Sequence, residues 1–373
     1  MDLIKQTYGN AFNHVVNQYT VLVTGGSGFL GQHVVGLLQT RADHVTNIRV
    51  LDVIDYENKT DYDCKKPVEK FIGDILDEDL VIKACTNVDC VIHLASIIDI
   101  SLFADYQRSY RINILGTKNI IEACKKTGVK RLIYCSSASV VYGPYDIIDG
   151  HEDELIYPEE PMLPVYAETK QQAETLVLQS NSDTLQTVSL RPVSLYGDQD
   201  YKYLAPFFTN KFTRTTGYLL KFEFGSAKTS QAYVGNVAWA FIQADNALRE
   251  SKSPYAAGLS YFIRDETPNT TRLEYDKEVL RETNIKLFPC PPPVWLQSLL
   301  LRVIFFILYL ISPIRKFNFP IGDWALSIRS TTWLFSYSKA QRQLGFKPIY
   351  SPVESRKRLI NFINSALSDK NNN

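Results

Sequence analysis

YTVLVTGGSGFLGQHVVGLLQ, Tyr19 to Gln39, decides the fold. An apolar run of strand length passes directly into Thr24-Gly25-Gly26-Ser27-Gly28-Phe29-Leu30-Gly31 and then into an amphipathic helical pattern. Residues without side chains are demanded where a strand turns tightly into a helix and lets a pyrophosphate approach the backbone. The free amides and positive dipole end of that helix then complete an anion site. Gly25, Gly28, Phe29, Leu30 and Gly31 are therefore the candidate cofactor cradle.

Outward from this turn, strand-like runs (IRVLDV, KFIGDI, CVIHLAS, KRLIYCSS, TVSLRPVSLYG) alternate with helical segments. Strands that are apolar throughout are strands covered on both faces, so the alternation predicts a Rossmann-type, doubly wound parallel α/β sheet. SYRINILGTKNIIEACKKTGV predicts one long helix, with Ile112, Leu115, Ile120 and Ala123 on its inner side and Gly128 closing it. We expect an N-terminal arm over 1–19, a dinucleotide-binding core over 20–200 and a smaller substrate-binding region over 201–366. Within that region a strand and helix near 233–250 return to the core, and 367–373 form a disordered tail.

The chain's 373 residues are 45% apolar and 12% aromatic, which excludes general disorder. Forty basic residues balance forty acidic ones without a basic face, which argues against nucleic acid as a partner. Six cysteines at irregular spacing, without CxxC pairs, read as reduced thiols and give no metal site.

The second strand ends at Asp52, where a carboxylate can accept hydrogen bonds from the adenosine ribose. That favours NAD over NADP, with Arg49 the one cation able to offset a 2′-phosphate and Asp55 a rival carboxylate. Asp74 and Ile75, after the third strand, are candidates for the adenine side, Asp74 doubling as a cap for the next helix.

YAETK then acquires a purpose. Tyr166 and Lys170 lie one helical turn apart, although Lys170 could equally pair with Glu174. A free tyrosine holds its proton to about pH 10, and a neighbouring ammonium favours the phenolate. Tyr166 is thus the candidate general acid/base, and Lys170 its tuner and the anchor of the nicotinamide ribose. Ser137, with Ser136 as alternative, supplies a hydroxyl at a strand's carboxyl end, and Asn113 is a candidate to hold a relay water.

TGGSGFLG, Asp52, HLAS, the Asn113 helix, SSAS, YAETK and SLRPVSLYG together resemble the extended short-chain dehydrogenase/reductase family over residues 20 to 270. AYVGNVAWA (232–240) and YFIRDETP (261–268) narrow the resemblance to 3β-hydroxysteroid dehydrogenase/Δ5-4 isomerases. It implies NAD-dependent oxidation of a steroid or sterol 3β-hydroxyl, with Asp265, Glu266 and Tyr261 as candidates for the isomerisation's proton shuttle. Arg264 stands beside those acids where a small residue is expected.

Two alternatives share the core motifs. One oxidises a 3β-hydroxy-4-carboxysterol that then loses carbon dioxide. The other is a sugar-nucleotide epimerase or dehydratase, for which Lys211, Arg214, Lys221 and Lys228 would have to hold a diphosphate.

VWLQSLLLRVIFFILYLIS, from Val294, is the most apolar stretch. Eighteen residues to Ile311 make a helix of roughly 27 Å against a hydrocarbon core of about 30 Å. Arg302 near its middle would cost about 3 kcal/mol inside a bilayer. A helix lying in one leaflet is therefore expected, the alternative being a buried helix that roofs the substrate pocket. With the resemblance, this implies a membrane-associated enzyme on the endoplasmic reticulum or a mitochondrial membrane, facing the cytosol, in contact with lipid and as a homodimer.

Overall fold

The computed structural model describes residues 18–201, 208–220, 225–250, 255–289, 293–314, 319–320, 322–327 and 330–368. Most of the N-terminal arm, Lys221 and the tail beyond Ser368 lie outside the described residues.

Seven parallel strands form the central sheet: β1 (Thr20–Thr24), β2 (Asn47–Asp52), β3 (Val68–Ile72), β4 (Cys90–His93), β5 (Arg131–Cys135), β6 (Gln186–Pro192) and β7 (Leu259–Ile263). Their order is β7-β6-β5-β4-β1-β2-β3. Alternate residues feed two cores. Val21 and Val23 join Val34, Val35, Val237 and Phe241 on one face, while Leu22 joins Val81, Ile120, Ala173 and Val177 on the other. The order in which strands are added reverses between β1 and β4, which opens a crevice at their carboxyl ends, where such sheets bind ligands.

Helices α1 (Phe29–Arg41) and α6 (Val234–Arg249) pack on each other over the first face. On the second face lie α2 (Glu78–Cys85), α4 (Thr117–Thr127) and α5 (Pro164–Gln179). Asp245 of α6 accepts from Tyr19 Oη at 2.7 Å and pairs with Arg131 at 3.0 Å, pinning the helix to the sheet. Tyr19, assigned by sequence to the arm, is thus part of the core's edge.

The long helix is not continuous. A short α3 (Tyr106–Tyr110) runs into a π-helical segment, Arg111–Gly116, and only then into α4, which Gly128 ends in the left-handed conformation as expected. A π turn takes more residues than an α turn, so it rotates the side chains that follow. Ile114 is consequently buried where Leu115 was expected, and Leu115 faces solvent.

The C-terminal region folds back onto the core through α8 (Pro352–Ser368), whose last two residues extend into the expected tail. Arg358 forms a two-pronged pair with Asp61, both contacts 3.0 Å, and donates to Tyr233 Oη at 2.9 Å. Helix α7 (Val294–Ile311) buries Gln297 and Phe305 but leaves Trp295 67%, Phe306 63% and Leu310 62% exposed. Such exposure does not fit a buried roofing helix. Among the described residues no helix is long and apolar enough to cross a membrane. Tyr309 of α7 donates to Asp323 at 3.0 Å and meets the ring of Phe103, so the helix adjoins the loop that follows β4.

Candidate active site

β1 delivers the chain into Gly25, whose φ of +72° suits glycine and whose missing Cβ would lie 2.8 Å from the Ala95 nitrogen. A Cβ on Gly31 would run into the Gly25 carbonyl. Gly28 caps α1 without a side-chain hydrogen bond, and no acidic residue occupies the first turn beside Phe29 and Leu30. The cradle is therefore bare backbone at a positive helix end, which suits a pyrophosphate.

Asp52 braces this loop from β2, accepting from Ser27 N at 2.9 Å and Ile54 N at 3.1 Å while staying half-exposed. Arg49 turns away: it pairs with Glu69 at 2.7 Å and donates to the carbonyls of Ala84 and Thr86. Asp55 pairs with Lys70 at 3.1 Å. Asp74 makes a turn, accepting from Leu76 N at 3.0 Å, and it is Asp77 that caps α2. Ile75 is buried, and its carbonyl accepts from Asn119 at 3.2 Å.

α5 begins with Pro164 at its first turn and carries Tyr166 and Lys170 on its buried side. The Lys170 ammonium donates to the Cys135 carbonyl at 2.5 Å and sits 4.4 Å from the centre of the Tyr134 ring. Burial lowers its pKa to about 8, against opposing contributions from Cys135 and Glu174. The hydrogen-bonded Lys170–Glu174 pair allowed by spacing does not form. Glu174 is committed to Arg191 at 2.9 Å, Ser189 at 2.6 Å and Tyr157 at 2.7 Å. Lys170 is thereby held at the end of β5, two residues before Ser137.

Ser137 accepts from Ser139 N at 3.1 Å and Ser139 Oγ at 2.8 Å, so its own hydroxyl hydrogen is left for an oxygen in the crevice. Ser136 Oγ is sealed in the interior without a hydrogen-bond partner among the described residues. An enclosed hydroxyl cannot touch substrate, which leaves Ser137 as the better placed of the two.

Three expectations meet a different geometry. The Asn113 amide is filled by protein: Oδ1 accepts from Ile97 N at 2.8 Å, and Nδ2 donates to Ile97 O and to Thr169 Oγ1, each at 3.0 Å. Its side chain therefore fastens the loop after β4 to α5.

The proposed isomerisation residues are not gathered. Tyr261 Oη donates within the interior to Gln343 at 2.7 Å, and Glu266 is exposed. Asp265 is buried as an acceptor from Tyr233 N, Asn236 Nδ2 and Thr267 N at 2.9, 2.7 and 2.9 Å. Arg264 serves carbonyls, those of Asp265 at 3.0 Å and Thr267 at 3.3 Å, and not the neighbouring carboxylates.

Finally, of the cations a diphosphate would need, Lys221 lies outside the described residues. Lys211 and Lys228 are exposed, and Arg214 donates to the Thr209 carbonyl at 2.6 Å.

Solved structures share this architecture. An epimerase of the methanogen Methanothermobacter thermautotrophicus superposes with a TM-score of 0.70 at 21% identity, covering 93% of each chain. The UDP-glucose 4-epimerase of Thermotoga maritima with UDP-glucose gives 0.68 at 20% identity, over 93% of this chain and 99% of its own. That of Thermus thermophilus, in complex with NAD, gives 0.64 at 22%, over 92% and 98%. At such identities the likeness shows the fold alone. The sequence match reaches further: the 3-beta hydroxysteroid dehydrogenase/isomerase family aligns with residues 22–290, and the chain belongs to that family.

Proposed function

We propose that the protein is an NAD-dependent dehydrogenase that oxidises the 3β-hydroxyl of a steroid or sterol to the 3-ketone. The observation that carries this reading is Lys170, buried at the end of β5 beside Ser137, with Tyr166 one turn away on the same helix.

Bound NAD supplies the acceptor for the carbinol hydride. The open amides of α1 hold its pyrophosphate, and Asp52 accepts from the adenosine ribose. The commitment of Arg49 to Glu69 keeps that cation from offsetting a 2′-phosphate beside Asp52, which supports NAD over NADP. Ser137 donates its hydroxyl hydrogen to the substrate oxygen and orients it. Tyr166 takes the hydroxyl proton as the carbinol C–H bond gives up its hydride. Lys170, with a pKa of about 8, is mostly ammonium at neutral pH, where it favours the Tyr166 phenolate and holds the nicotinamide ribose.

Tyr166→Phe tests this: turnover falls by about 10²- to 10⁴-fold while NAD affinity stays within a few fold. Turnover at the native rate in that variant would remove Tyr166 from the chemistry.

A second reading has specific support. With Asp265 filled and Tyr261 in the core, two of the three candidates for moving a double bond are committed elsewhere, which leaves Glu266. Oxidation of a 3β-hydroxy-4-carboxysterol requires none, because the β-keto acid loses carbon dioxide unaided. Incubation with NAD and either substrate class separates the two, by carbon dioxide release or by growth of the enone band. UDP-glucose as a third substrate tests the epimerase chemistry of the structural neighbours.

The same proposal has α7 lying in one leaflet of an endoplasmic reticulum or mitochondrial membrane, its exposed Trp295, Phe306 and Leu310 among the acyl chains. A sterol that is scarce in water would reach the enzyme from there. A homodimer is part of it too, supported by the groove between the π-helical segment and α5 that Leu115 and Leu176 line, and light scattering in detergent tests it.

A further inference from the structure

His93, at the end of β4, is wholly buried, and the chemistry above does not use it. Its Nδ1 lies 2.6 Å from Thr24 Oγ1 and its Nε2 lies 3.0 Å from Thr117 Oγ1. Thr24 immediately precedes the glycine cradle. Thr117 immediately follows the π-helical segment.

The neighbouring bonds fix every proton in this chain. Thr117 Oγ1 donates to the Asn113 carbonyl at 2.6 Å, and a carbonyl can only accept. Thr117 must therefore accept from His93, which requires the proton on Nε2. Nδ1 is then bare and accepts from Thr24 Oγ1. Thr24 in turn accepts from the Ala95 amide at 3.3 Å. Burial, followed by the charge on Lys170, lowers the His93 pKa to about 3, so the ring stays neutral across the working range.

The chain continues on the far side. Asn113 grips both backbone groups of Ile97 and donates to Thr169 Oγ1. Thr169 donates to the carbonyl of Val165 at 2.9 Å, with that of Tyr166 at 3.1 Å. One set of directional bonds thus runs from the cradle, through His93 and the π segment, to the helix that bears Tyr166 and Lys170.

We propose that His93 is a positioning residue: with Thr24, Thr117 and Asn113 it sets the catalytic helix and the loop after β4 relative to the dinucleotide cradle. The inference rests on the dehydrogenase reading for its kinetic consequence, but not for its structural one. A core histidine kept for packing would need no fixed tautomer and no π segment beside it. Irregular helix of that kind is frequent at functional sites. Misplacing a reacting group by about 1 Å can cost on the order of 100-fold in rate.

The test is a reciprocal pair. Thr117→Val keeps the shape and removes the hydroxyl, whereas Thr117→Ser keeps the hydroxyl and removes a methyl. With Val we expect kcat to drop by about 10-fold or more, KM to stay within about threefold, and exchange of the Ile97 amide to quicken in the NAD-free protein. Ser recovers most of the rate and the amide protection.

Packing alone predicts the opposite ranking, and Ser as impaired as Val, or Val with native kcat and native exchange, overturns the proposal. If Val does not fold, Thr24→Val against Thr24→Ser asks the same question from the other end. Should the native protein turn over no 3β-hydroxysteroid, the dehydrogenase reading falls, and amide exchange still judges the relay.

Discussion

Replacing Lys170 by methionine should make the protein more stable as it removes its activity. In the folded chain the ammonium is buried, and its pKa falls from the ordinary lysine value of 10.5 to about 8. At about 1.36 kcal/mol per unit, the buried charge costs about 3 kcal/mol at neutral pH. Against this stands the hydrogen bond to the Cys135 carbonyl, worth about 1 kcal/mol, and the contact with the Tyr134 ring. Lys170→Met is thus expected to gain about 1 to 2 kcal/mol in urea unfolding at about pH 7.

The pH dependence has a definite sign. Between about 8 and 10.5 the unfolded lysine binds a proton that the folded one has lost, so native stability rises with pH in that window. Buried thiols and tyrosines with raised pKa values pull the other way; those remote from Lys170 do so equally in both proteins, while Cys135 also feels the ammonium, which lowers its pKa in the native protein alone. The native-minus-methionine difference therefore reports the lysine together with its coupling to Cys135, and it should move in favour of the native protein by about 2 kcal/mol from about pH 7 to 9.5. A methionine variant less stable than the native protein at neutral pH, or a difference that ignores pH, refutes a desolvated ammonium at this position.

Asp52→Ser should weaken NAD binding by about 10-fold and let NADP be used, because the carboxylate that repels a 2′-phosphate is gone; kcat/KM for the two dinucleotides measures it. Glu174→Gln should cost about 3 kcal/mol or more in urea unfolding, since Arg191 is left buried without its carboxylate. Phe306→Ser combined with Leu310→Ser should abolish flotation with phosphatidylcholine vesicles and shift Tm by no more than a few degrees, as both side chains are exposed. A large fall in Tm would make α7 a core helix.

Legibility followed the range of the interaction. The cradle could be read because a tight turn against Ala95 and a crowded helix start leave room only for glycine at positions 25 and 31. The buried strands could be read because a sheet covered on both sides needs unbroken apolar runs. Tyr166 and Lys170 share one turn, so their joint placement is local. The π segment could not be read: Arg111 to Gly116 has ordinary helical composition, and the extra residue is enforced by Asn113 and Thr117 bonding to elements far along the chain. Asp265 misled for the same reason, since the Asn236 amide that fills it comes from α6. For α7, an apolar run has the same sequence whether protein or lipid covers it.

The clamp between Arg358 and Asp61 joins positions 297 residues apart. The loop after Asp52 already bonds to α1, with Gln32 donating to the Glu57 carbonyl at 2.9 Å and accepting from Lys59 N at 3.0 Å, and the Arg358 clamp can be added only after α8 has left the ribosome. The nascent N-terminal half, though it holds the cradle and β1 to β5, must therefore wait for α8 before Asp61 is clamped. Loss of α8, by nonsense mutation or proteolysis, would release Asp61, some three hundred residues upstream in the sequence.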